Sequence, residues 1–88
     1  MEEMMYPGVK KVIPLPGFQL LLTFDNNEER IFDMNPFLDK GIFRGLCDAA
    51  VFDSVHTSFD TIEWENGADL CPETLYKEST LYSHRSAG

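Results

Sequence analysis

A chain of 88 residues has room for one domain, and its 43% hydrophobic content, with seven phenylalanines, supplies a core and excludes wholesale disorder. Seven Lys and Arg against fifteen Asp and Glu leave a formal charge of -8, which repels phosphate backbones and argues against direct nucleic-acid binding. The two cysteines lack redox or zinc spacing, no apolar run approaches the roughly 20 residues that cross a bilayer, and the acidic start is unlike a signal peptide, so a cytoplasmic chain with free thiols, no metal and no other cofactor is expected.

In chain order, residues 9–13 form a short β-branched strand that ends at Pro14-Leu15-Pro16-Gly17, where two prolines and a glycine predict a turn. In residues 18–24 the side chains of Phe18, Leu20, Leu22 and Phe24 fall on one face at period two, the pattern of a strand with one buried side. Asp25-Asn26-Asn27-Glu28 tolerates left-handed backbone and leads into an antiparallel third strand, 29–34, with Ile31 and Phe32 on opposite faces. Asn35-Pro36 then predicts a capped helical turn through Phe37 and Leu38.

Residues 41–54 are the helical middle. Phe43, Leu46, Cys47, Ala50 and Val51 recur at spacings of three and four and mark one buried face. Gly45 weakens the centre and Asp48 offers a second cap, so one helix and two short turns joined near Cys47 both fit. Val55, Thr57 and Phe59 then alternate with His56 and Ser58, and Ile62 and Trp64 alternate with Glu63, predicting two further strands. Asn66-Gly67 is the strongest hairpin signal, because both residues accept the positive φ of a type I′ turn. Pro72 opens a terminal helix with Glu73 near its positive end. Residues 81–88 lose the pattern and are expected as a flexible tail behind a single 1–80 domain. The class is α+β: a small, mostly antiparallel sheet that starts as a three-stranded meander and gains further strands, with short helices in the middle and at the C-terminus.

Acids crowd residues 59–76 around the only tryptophan. Asp60, Glu63, Glu65 and Asp69 read as an acid-base pair, a hard-cation site or a solvated strand face. The calcium-loop pattern is absent, and Glu63 and Glu65 are expected to share the outer face opposite Ile62 and Trp64, so the solvated face is the simplest reading. His56 lies near Ser54 and Ser58 without a visible oxyanion loop. Cys71 has the helix-start setting that lowers a thiol pKa but no base. Trp64 suits a core and an interface equally.

The segments VKKVIPLP, LLLTFDN, ERIFDM, LDKGIF, FDSV and above all FDTIEWENGADLCPETLY resemble the bacterial family called domain of unknown function 2442. Trp64, Asn66, Gly67 and Pro72 are the structural signature within that match. The resemblance implies a small α+β domain, stand-alone in some members and fused to a C-terminal helix-turn-helix in others, with no established catalytic residues to carry over. Stand-alone members are often encoded beside another small protein, which implies an antitoxin-like or regulatory role. Two departures stand out. Cys71 occupies a position where an acid or small polar residue is common, so the terminal helix lacks a strong oxygen cap. No helix-turn-helix pattern is present, so a DNA-binding role like that of the fused members is expected only through a partner. The leading expectation is a non-catalytic protein-interaction module whose Asp60, Glu63, Glu65 and Asp69 meet a basic protein encoded nearby. Two alternatives remain open: a small-ligand binder or enzyme using Asp60, Asp69 and Cys71 around Trp64, and a homodimer joined edge to edge through an exposed strand.

Overall fold

Period-two alternation in the first third folds as a meander. In the computed structural model, which describes residues 6–82, β1 (Val9–Leu15), β2 (Gln19–Phe24) and β3 (Glu29–Asp33) pair antiparallel. Leu20, Leu22 and Phe24 are fully buried, and Phe32 lies opposite Leu20 across the β2–β3 ladder. Asn27 takes a φ of 69° in the turn between these strands, a conformation that its short amide side chain tolerates.

The first turn falls later than the prolines suggest. Pro14 and Leu15 remain in β1, and the chain reverses over Pro16, Gly17 and Phe18. Because β1 is an edge of its sheet, the missing amide of Pro14 breaks no ladder. Phe18 therefore leaves the strand and takes a φ of 61°, yet its ring still meets Phe52 edge-on at 5.2 Å.

The helical middle is two 3-10 turns, Asn35–Phe37 and Gly41–Cys47, followed by α1 (Ala49–Phe52). Asp48 caps α1 as expected, its carboxylate accepting from the Ala50 N–H at 2.9 Å. Asn35 does not cap the first turn. Met34 holds the cap position, and the Asn35 amide donates to the Gly17 carbonyl and the Asp33 carboxylate, both at 2.8 Å, tying the β1–β2 turn to the end of β3. The predicted helical face also breaks: Leu46 is buried and Phe43 and Val51 are half-buried, but Cys47 and Ala50 are exposed. A 3-10 turn advances three residues per turn, so positions that share a face at 3.6 drift apart.

The later strands make a sheet of their own. β4 (His56–Ser58), β5 (Thr61–Glu63) and β6 (Asp69–Leu70) pair antiparallel in that order. This sheet joins the first where the Val9 N–H donates to the Asp60 carbonyl at 2.9 Å. Ile62 and Trp64 point inward, as the alternation requires. Thr57 and Phe59, which alternate with His56 and Ser58 in the sequence, are both exposed: β4 is an edge, and the chain already reverses at Phe59-Asp60. The hairpin at Asn66-Gly67 exists, but its loop is the three residues Glu65, Asn66 and Gly67. The Gly67 N–H donates to the Trp64 carbonyl at 3.0 Å and the Trp64 N–H to the Ala68 carbonyl at 2.9 Å. Only Gly67 has positive φ, 90°, whereas Asn66 uses its side-chain oxygen to accept from the Ala68 N–H at 3.0 Å.

Pro72 opens α2 (Pro72–Glu78), and Cys71 at its cap position makes no side-chain cap bond, as its chemistry predicts. The chain then returns as β7 (Thr80–Leu81), pairing with β3 to complete a four-stranded sheet of order β1-β2-β3-β7. No period in the sequence marks this strand. It includes Leu81, the first residue of the expected tail, and residues 83–88 of that tail lie outside the described residues. The fold is α+β, two antiparallel sheets and short helices closing on one core.

Aromatic rings hold the core together. Phe32, Phe37, Phe43, Trp64, Phe52 and Phe18 follow one another with centroid separations between 5.2 and 6.5 Å, mostly edge-on or tilted. Such pairs contribute beyond the area they bury, on the order of 0.5–1.5 kcal/mol each. The chain of rings runs from the first sheet through the 3-10 turns to the second sheet and back.

Candidate functional site

The acids expected to meet a partner lie on the second sheet and its turns. Glu63 and Asp69 are direct cross-strand partners, and His56 is the partner of Glu63 on the other side, so these three side chains form one row across the polar face. Asp69 and His56 are exposed and Glu63 is half-buried. Glu65 does not share that strand face. It lies exposed in the loop beyond β5, its N–H donating to the Ser54 hydroxyl at 3.1 Å. Asp60 sits exposed at the opposite end of β5, in the β4–β5 turn. Its carboxylate and that of Asp25 flank Gly8, where a Cβ would come within 3.0 Å of an oxygen of each. Only a glycine fits between them without displacement.

One feature of the sequence dominates the charge of this region, although β1, with its exposed Lys10 and Lys11, packs against β4 and β5. Between Arg44 and Lys77 there is no Lys or Arg, while Asp48, Asp53, Asp60, Glu63, Glu65, Asp69 and Glu73 all fall in that stretch. It comprises α1, the whole second sheet and the start of α2. Glu63 and Asp69, like charges directly opposite, repel each other and cost the sheet a little stability. His56 is the only basic side chain of the stretch. Its Nδ1 lies 3.0 Å from the Ser54 carbonyl, which a protonated Nδ1 satisfies by donating.

The other sequence candidates are placed apart from one another. Trp64 is 1% exposed, and its indole N–H donates to the Phe52 carbonyl at 3.1 Å, so it is a core residue and not the wall of a site around Asp60 and Asp69. Cys71 is exposed, with its sulfur 3.2 Å from the Thr74 hydroxyl. Hydrogen bonds from Thr74, side chain first and then backbone, hold the thiol below its usual pKa. Its partner is a hydroxyl and not a base. A shallow groove of about 450 Å³ runs between the β1–β2 turn and α1, lined among others by Pro14, Pro16, Phe18 and Phe52, and none of the four acids contributes to it. No group of three or more His, Cys, Asp or Glu among the described residues is arranged to hold a metal.

The strand edges offer little length for pairing. β4 has three residues and β6 and β7 two each. β1 is longer, but it carries a register shift between Val9 and Lys11, exposed Lys10 and Lys11, and Pro14, features that discourage edge-to-edge addition.

Two further features escape a reading of the sequence. Arg30 lies 4.2 Å from the Tyr76 ring centroid and donates to the Glu28 carboxylate at 3.0 Å and the Ser79 carbonyl at 3.2 Å. The Tyr76 hydroxyl donates to the same carboxylate at 2.9 Å. Tyr76 first and Arg30 second hold the Glu28 carboxyl below its usual range. This clamp fixes α2 and β7 to β3, and Tyr76 and Ser79 lie too far in sequence from Glu28 and Arg30 for any local pattern to join them. The second feature is Phe59, fully exposed with a φ of 56°. The two-residue gap between alternating runs at 56–58 and 61–63 is the signal that marks it as a turn residue.

The fold and surface define a small two-sheet α+β domain with its negative charge concentrated on the second sheet and α1. The family model described as "Protein of unknown function (DUF2442)" matches residues 9–80, and the chain belongs to that family. No curated protein matches the chain, and no solved structure does. No helix among the described residues is long and apolar enough to cross a membrane.

Proposed function

We propose that the chain is a non-catalytic protein-interaction module, antitoxin-like or regulatory, that holds a basic protein partner against its second sheet. The observation that carries this reading is the stretch without Lys or Arg between Arg44 and Lys77, which leaves Asp60, Glu63, Glu65 and Asp69 at the surface with no nearby cation in sequence to neutralise them. A field of one sign attracts a partner of the other, accelerates encounter and repels phosphate backbones, so nucleic acid is reached only through that partner. Glu63 opposite Asp69 is a repulsive pair that a cation between the two side chains would convert into an attractive one. A cytoplasmic location goes with this reading, supported by two cysteines that are free and exposed.

The test is co-expression with the product of the adjacent gene, followed by size-exclusion chromatography at low and at high salt. The reading expects one joint peak at low salt that separates as salt rises. Two separate peaks at low salt contradict it.

A further inference from the structure

The seven phenylalanines of the chain divide unequally. Phe24, Phe32 and Phe52 are buried in the core, and Phe18, Phe37 and Phe43 pack against it. Among the described residues Phe59 alone is fully exposed, and the other exposed large apolar side chains, Ile13, Ile42, Leu81 and Tyr82, reach at most 60%. Its backbone is also unfavourable. The φ of 56° at a two-residue hairpin turn is a conformation that glycine or asparagine adopts readily and a bulky side chain resists. Folding therefore places an aromatic ring in water, on a strained turn, fully exposed among the described residues.

We propose that Phe59 is an interface anchor: the ring enters an apolar pocket of a partner protein whose rim is basic. This rests on the basic-partner reading given above and adds the residue that holds the complex together. The rim chemistry follows from charge complementarity. Asp60 adjoins the ring in sequence, Asp25 lies beside Asp60 across Gly8, and the chain on either side of Phe59 is free of Lys and Arg from Gly45 to Tyr76, while Lys10, on the β1 strand that packs against β4, donates to the Asn27 side chain. A desolvated aromatic at the centre of a contact with charges around it is the arrangement in which one side chain contributes most of the affinity while the rim sets encounter rate and partner choice. A second copy of this chain in a twofold arrangement is a poor occupant, because it would set the same acids against each other.

The test uses the full chain and a phage-displayed library of random dodecapeptides selected on it. Enriched peptides are expected to carry Lys or Arg around apolar residues, to bind less tightly as salt rises, and to lose at least about tenfold in affinity for Phe59→Gly. Free Phe59→Gly is expected to melt at or above the parent midpoint, since glycine relieves the turn. A lower midpoint would show that the ring supports the fold, and overturns the proposal, as does a library that yields no binder. Basic, salt-sensitive peptides indifferent to Phe59→Gly overturn the anchor and leave the acidic face standing. Neutral, salt-indifferent peptides that lose affinity for Phe59→Gly uphold the anchor and contradict the basic partner.

Discussion

Three single residues decide the local geometry of the second half. Gly67 carries the left-handed step of the β5–β6 loop at a φ of 90°, and nothing lies within 4 Å of where its Cβ would be, so a substitution there meets backbone strain and no clash. Gly67→Val is expected to destabilise the fold by about 1–3 kcal/mol, read from denaturant unfolding with an unchanged m-value. Cys71, hydrogen-bonded to Thr74, should alkylate with a pH midpoint below that of a free cysteine, and Thr74→Val should move the midpoint upward. Equal midpoints in the two proteins would remove Thr74 as the cause. Trp64 is the clearest case of a residue whose role the sequence leaves open, because an amphipathic ring next to Ile62 fits a core and an interface alike. Only its 1% exposure and its bond to the Phe52 carbonyl separate the two. Truncation to alanine is expected to cost about 3–5 kcal/mol.

At the scale of elements, legibility tracks the range of the interactions involved. β2 follows from alternation because its Leu20, Leu22 and Phe24 face is buried, and burial of a face imposes period two. The hairpin after β5 follows from Asn66-Gly67, although the extra loop residue does not, since it depends on Trp64 and Ala68 bonding across the turn. β7 is invisible locally: two residues carry no period, and Arg30 and Ile31 on β3 supply the pairing. The same distance hides the Glu28, Arg30 and Tyr76 clamp, and that clamp makes a pH prediction. Glu28 has its folded pKa below the reference 4.5, so its contribution is complete above that value and is lost as pH falls through the lower, folded pKa. The NMR signals of Tyr76 and Leu81 should therefore shift together in that acid window, before the core resonances do. In Glu28→Gln they should already be displaced at neutral pH and no longer titrate with that carboxyl. Signals that hold still until global unfolding would show that the clamp is not what docks α2 and β7.

At the scale of the molecule, charge and core are separated. Cations lie before Arg44 and after Lys77, inclusive, while the stretch between them has acids on its surface and Phe52, Ile62, Trp64 and Leu75 inside. The acids were legible as residue types, and their setting was partly so: Glu63 and Asp69 do meet across one face, whereas Glu65 and Asp60 occupy opposite ends of β5. That spread gives the proposed partner site a broad extent, with Phe59 at one of its turns. Steering by such a surface raises encounter rates by about 10-fold or more and fades with salt. The most direct test is the association rate constant with the product of the adjacent gene, measured from low to high salt for the parent chain and for the combined Glu63→Gln, Glu65→Gln and Asp69→Asn variant. The parent rate should fall steeply with salt and the variant rate should be lower and nearly flat. Equal salt slopes, or no association at low salt, would contradict the acidic face as the partner site.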